Sequence, residues 1–303
     1  MTKNKHQKNQ GKAYFFAILS VLFWSTAASA FKLTLDYVSF IQIVFLASLT
    51  STLILFCILS IQGKISAVLT STKREFMFSA FLGFLNPFLY YVILLKAYSI
   101  LPAQIAQPLN FTWPIMLVLL SVPLLKQKVP PYSLLAMLIS FAGVYLISSE
   151  GDPFDMKFSD PLGVFLALGS SLVWALFWIY NVRDQRNEIV KLFLNFFFAT
   201  LFATLLMFAV SGFEAFPMFG VFGGVYIGAF EMGFTFVFWL KALQFSSSTD
   251  KVSNLIYLTP FFALLLISLI LDEYIHMTTL LGLFFIIGGI FMQKRIEKRK
   301  GGL

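Results

Sequence analysis

The chain has 303 residues, 59% of them apolar and 12% charged, with a mean hydropathy of +0.84 and a formal net charge of +8. A soluble domain carries about a quarter charged residues, and one this apolar would have to hide more surface than a single core can hold. Composition therefore excludes a soluble enzyme. Apolar runs about twice the ~10-residue length of a barrel strand exclude a porin-type barrel. The lone Cys57 and the two histidines, His6 and His276, leave no disulfide framework, no metal site, no haem and no His-based nucleophile. No catalytic residue and no cofactor is expected. The bases lie in loops and tails, as topology charges beside anionic lipid rather than as a nucleic-acid site.

A helix needs about 20 apolar residues to cross the hydrocarbon core. In chain order, a basic tail over 1–12 precedes runs at 13–32, 38–62, 74–98, 101–125 and 131–149. An acidic linker over 150–159 carries Glu150, Asp152 and Asp155, and further runs follow at 160–181, 188–212, 218–243, 248–271 and 276–294 before a basic tail over 295–303. Placing both termini inside puts 19 of the 22 Lys and Arg on the cytoplasmic side, leaving only Lys32, Lys96 and Lys157 outside. An odd number of spans would destroy that asymmetry. The expected protein is an all-α multi-pass membrane protein of ten transmembrane helices, with both termini cytoplasmic. Ala28-Ser29-Ala30 resembles a signal-cleavage site, but the likeness of the first span to the sixth favours its retention.

The halves 13–149 and 160–294 resemble each other in order. Ala17, Ser20, Leu22 and Trp24 match Ala167, Ser170, Leu172 and Trp174. Phe45, Ala47, Leu49, Thr52, Leu53 and Phe56 match Phe197, Ala199, Leu201, Thr204, Leu205 and Phe208. Leu95-Lys96-Ala97 matches Leu240-Lys241-Ala242, Pro114 matches Pro260, and Gly143 matches Gly288. With five spans in each half, the second half enters the membrane the other way up, an inverted repeat suited to opening a central site to either face in turn.

These shared tryptophans, Leu-Lys-Ala closures, prolines and late glycines, together with Leu271-Asp272-Glu273 after the ninth span, resemble the EamA-type branch of the drug/metabolite transporter superfamily. Each half is then one EamA-like five-helix repeat. The chain departs from the family pattern at Lys126-Gln127, where a Gly-Glu-type pair is common. The resemblance implies a secondary exporter of amino acids, related metabolites or drugs that works by alternating access.

Polar groups at membrane depth are costly and invite a functional explanation. Glu231, mid-way along the eighth span, is the sharpest. A carboxyl there can exchange between protonated and ionised forms, as proton coupling requires, or can bind a substrate amine. The alternative is a structural hydrogen bond to Asn86, its repeat partner. Pro87 follows Asn86 and is expected to break the third span, and Pro114 and Pro260 are further expected hinges. Trp24, Trp174 and Trp178 lie about mid-span, so they either line a cavity or pack as ordinary aromatics. Gln107 and Asn110 share a face of the proline-broken fourth span, lining a pathway or bonding between helices. Gln104 and Thr112 add to that polarity. Ser253, Asn254 and Tyr257 occupy the matching ninth span. Ser48, Thr52, Thr200 and Thr204 are expected as close-packing contacts.

The substrate-binding set is therefore Trp24, Asn86, Gln107, Asn110, Trp174, Trp178, Glu231 and Tyr257, with Glu231 as the proton-coupling residue. Amides, one acid and aromatics suit a zwitterionic or weakly cationic organic solute, an amino acid or similar compound, exported across the inner membrane of a bacterium. A passive facilitator would use the same cavity without protons. A lipid-modifying membrane enzyme would need grouped carboxylates or His at one surface, which the chain does not offer.

Overall fold

The computed structural model describes residues 9–125, 131–154, 159–181, 183–210, 216–246, 252 and 255–300. Lys126-Gln127, Asp155, Lys157, Ser253, Asn254, the basic residues before 9 and the last three residues lie outside them. The described residues contain helices and turns and no strand.

Helices run at α1 Gln10–Leu35, α2 Phe40–Ile61, α3 Lys73–Ile100, α4 Ala103–Leu124, α5 Pro131–Ser148, α6 Pro161–Asn181, α7 Glu188–Val210, α8 Met218–Phe245, α9 Leu255–Leu271 and α10 Met277–Lys300. A one-turn helix, Ile65–Leu69, links α2 to α3. Seven of them, α1 to α4 and α6 to α8, are long and apolar enough to cross a membrane. Shorter apolar helices cover Leu135–Ser148, Leu255–Leu271 and Met277–Met292. Large apolar side chains such as Leu138, Phe165, Leu205 and Phe284 point outward. Helices apolar around their whole circumference suit lipid rather than water.

Local chemistry starts the helices. Ser39 and Gln42 form a reciprocal capping box at α2, as Thr72 and Glu75 do at α3. Asp160 accepts from the backbone N–H groups of Leu162 and Gly163 at α6, and Pro131 and Pro161 stand first in their helices, where a missing N–H costs nothing.

The chain forms two compact units that cut across its sequence halves. Unit one takes the described residues of 1–88 and 185–266: α1, α2, the first part of α3, α7, α8 and most of α9. Here α2 lies along α7, where the Thr52 and Thr200 hydroxyls meet at 3.0 Å. Unit two takes the rest, from the second part of α3 through α6 and from the end of α9 through α10. Its tightest crossing joins α5 to α10. A Cβ on Gly282 would stand 2.5 Å from the Gly143 carbonyl oxygen, and one on Gly289 2.5 Å from that of Ala136. Such backbone approaches drive helix association where no hydrophobic force acts between helices in lipid. Gly288, the alignment partner of Gly143, faces open space.

Candidate functional site

Two irregular helical stretches in unit one position its candidate residues. In α3 the wide turn Phe84–Leu89 contains Asn86 with extended backbone, φ −150° and ψ 124°, and the Asn86–Pro87 peptide bond is cis. The cause is local. Pro87 has no N–H to give a carbonyl one turn back, and its ring disfavours helical backbone at the residue before it. Asn86 is 1% exposed, and neither its Oδ1 nor its Nδ2 has a hydrogen-bond partner among the described residues.

In α8 the wide turns cover Ile227–Gly233 and hold Glu231, 8% exposed. No proline explains them. The released carbonyls are answered by side chains instead: Ser51 Oγ donates to Gly228 O at 2.7 Å, the Trp24 indole Nε1 to Glu231 O at 3.2 Å, and the Thr235 hydroxyl to Phe230 O. Without water to take them, free carbonyls would be expensive at this depth. Trp24 thus carries the backbone of Glu231, with its ring edge-on to Phe236 at 6.1 Å and beside Trp239 at 5.7 Å. Tyr257 is buried in a tight turn, Leu255–Leu258, and Pro260 falls in the first turn of the helix that follows. Beside it, Ser25 Oγ reaches Thr259 O at 3.2 Å.

In unit two the expected residues are tied to one another. Tyr98 donates to Gln107 Oε1 at 2.6 Å, and Tyr90 to Asn110 Oδ1 at 3.1 Å. Asn110 Nδ2 donates to Ser170 Oγ at 2.8 Å, and Thr112 and Ser171 share a hydrogen at 3.0 Å. Trp174 packs on Tyr90 at 4.7 Å and meets Trp178 edge-on at 6.1 Å. The polarity of α4 therefore serves bonds to α3 and α6. Its helix is interrupted at Phe111–Thr112, and Pro114 stands in the first turn after the break.

Sequence reasoning named Glu273 and Gln104 without their roles and missed other groups altogether. Glu273 accepts from the backbone N–H groups of Ala103 and Gln104 at 2.9 and 3.0 Å, capping α4 with an anion. Gln104 itself donates to Tyr274 O at 2.7 Å and accepts from His276 N at 3.1 Å. In unit one, Arg186 donates to Ser79 at 2.6 Å, and buried Lys191 pairs with Glu188 at 2.8 Å. One turn beyond Lys191 is Asn195, 1% exposed, with neither amide atom partnered among the described residues. A lone amide inside the apolar run Leu192–Phe198 was the available signal, but it aligns with apolar Ile43 in the other half. Among the described residues no three His, Cys, Asp or Glu could hold a metal ion together.

The model of the EamA-like transporter family matches residues 11–149 and again 161–293. An uncharacterized transporter of Clostridium kluyveri is 24% identical over 306 aligned residues, covering 96% of each chain. The uncharacterized transporter YvbV of Bacillus subtilis is 25% identical over 210 residues, 68% of each. A solved crystal structure, 18% identical, matches 96% of this chain and 99% of its own with a TM-score of 0.65, a likeness of fold alone.

Proposed function

The chain belongs to the EamA-like transporter family of multi-pass membrane proteins, and from that premise we propose that it is a secondary exporter of amino acids or related small metabolites. It works by alternating access across a bacterial inner membrane, coupled to protons through Glu231. Ten spans form two inverted five-helix repeats, 13–149 and 160–294, with the acidic linker 150–159 outside and both termini in the cytoplasm. Support for the repeats comes from one family model matching the chain twice. It comes also from the aligned pair Asn86 and Glu231, each of which falls where its helix loses regular winding. Support for the orientation comes from the placing of 19 of the 22 Lys and Arg.

The observation that carries this function is Glu231, a buried carboxyl on a widened turn whose carbonyls are held by Trp24, Ser51 and Thr235. A charge there is costly, so gaining or losing a proton changes what the surrounding helices tolerate. Within unit one, Trp24, Asn86, Glu231 and Tyr257 recognise the solute, and Pro87 and Pro260 mark its hinges. Within unit two, Trp174 and Trp178 offer ring faces to an apolar solute body. Gln107 and Asn110 exchange their Tyr and Ser partners for solute, and Pro114 is the hinge.

Proteoliposomes test it with a panel of radiolabelled amino acids that includes the aromatic ones. The wild type accumulates at least one against its gradient when a pH difference is imposed. Glu231→Gln keeps counterflow exchange but loses pH-driven accumulation. Unchanged pH-driven accumulation in that variant removes proton coupling, and a wild type that never concentrates solute is a passive facilitator.

A further inference from the structure

Unit one holds two buried carboxamides, Asn86 on α3 and Asn195 on α7, and all four of their polar atoms lack a hydrogen-bond partner among the described residues. Leaving a buried donor or acceptor unanswered is destabilising. Hydroxyls avoid this by turning back onto their own helix, as Thr52, Thr200 and Thr204 do toward the carbonyl four residues earlier. Neither asparagine has made such a bond.

The two helices meet at Asn195, one turn before Asn86 on α3. Gly83, three residues before Asn86, packs so closely on the backbone carbonyl of Asn195 that a Cβ at 83 would collide with it. Beyond, Phe84 and Phe88 meet Phe202 at 5.6 and 5.7 Å. The nearest cation along α7, Lys191, is paired with Glu188. A solute held here meets neutral donors and acceptors rather than a net charge from that side.

We infer that Asn195 is a solute-recognition residue that acts with Asn86, the two amides together binding the zwitterionic head of an α-amino acid. Each NH2 donates to the solute carboxylate, and each amide oxygen accepts from the solute ammonium. The assignment rests on the amino-acid function proposed above and adds a selection rule to it. An analogue without the ammonium leaves the amide oxygens unanswered, and one without the carboxylate leaves the NH2 groups unanswered. A site built to hydrogen-bond a group discriminates strongly against its absence. Phenylalanine should therefore bind where 3-phenylpropionate and phenethylamine do not.

Thermal unfolding of the purified full-length protein in detergent tests this, with each of the twenty L-amino acids as probe and then the amine and acid analogues of the best binder. The wild type is stabilised by at least one amino acid and by neither analogue. Asn195→Leu removes an unpartnered amide, so without solute it melts at or above the wild type, yet it binds the amino acid at least about tenfold more weakly. Asn195→Ala makes the same comparison without the bulk of leucine, and Asn86→Leu behaves likewise. A structural asparagine does the opposite, lowering the solute-free midpoint and leaving affinity intact, and that result overturns the assignment. Unchanged affinity in the leucine and alanine variants overturns it while the amino-acid function stands. A wild type that binds none of the twenty removes the amino-acid function, and this assignment with it.

Discussion

Gly228→Ala probes the crossing of α2 and α8 beneath Glu231. A Cβ on Gly228 would stand 2.5 Å from the Ala47 carbonyl oxygen, 2.6 Å from Thr50 Cβ and 2.9 Å from Ala47 Cα. Two of those atoms are backbone and the third is fixed to it, so no rotamer change makes room and the helices must separate. An extra carbon in a packed interior costs about 1–3 kcal/mol. Separation also stretches the 2.7 Å bond from Ser51 to Gly228 O, and an interhelical hydrogen bond in a membrane protein is worth about 0.6 kcal/mol on average. Alanine returns up to about 1 kcal/mol through its better helix propensity. The net loss is about 0.6–2.6 kcal/mol, roughly a threefold to eightyfold fall in the ratio of folded to unfolded protein. Gly169→Ala and Gly288→Ala are the controls, because a Cβ at either meets nothing within 4 Å. They keep only the propensity term and should melt at or slightly above the wild type. All three are compared by thermal unfolding in one detergent. Gly228→Ala melting with the wild type, or Gly288→Ala falling as far as Gly228→Ala, would refute the packing on which the placement of Glu231 depends.

Two more substitutions probe unit two. Glu273→Ala removes the anion that accepts from Ala103 N and Gln104 N at the start of α4, and should lower stability by about 1–2 kcal/mol. Glu273→Gln, which keeps an acceptor oxygen, falls between it and the wild type in the same melt. Asn110→Leu strips Tyr90 and Ser170 of a partner and should cost about 1 kcal/mol. That is opposite in sign to Asn195→Leu, although both remove a buried or half-buried amide. Equal shifts of the two melting midpoints would mean that the difference in their hydrogen bonding carries no energetic weight.

What could be read from the sequence divides by the range of its cause. The break at Asn86 was legible because proline acts on its immediate neighbours. The widened turns around Glu231 were not, since their carbonyls are answered by Ser51 and Trp24, 177 and 207 residues earlier in the chain. The amides of α4 were visible as polar, but nothing local says that Tyr98, Tyr90 and Ser170 occupy them. Leu271-Asp272-Glu273 was visible as a motif, yet its work as a helix cap requires Ala103, 170 residues away. Matching the halves paired Gly143 with Gly288, but Gly143 makes its close approach to Gly282 while Gly288 faces open space, because likeness of sequence does not report which face of a helix is covered. The same comparison passed over Asn195, whose counterpart Ile43 is apolar.

Because unit one joins residues before 89 to residues after 184, its assembly has an order imposed by synthesis. A ribosome delivers α1 and α2 to the bilayer while α7 and α8 are still untranslated. Until then the Trp24 indole has no Glu231 carbonyl to hold, and the Ser51 hydroxyl has no Gly228 carbonyl to take its hydrogen. The early helices must wait in lipid as a nascent, half-satisfied pair. A chain stopped near residue 150 would hold neither α7 nor α8, so that segment should pack poorly on its own, however well it matches the family.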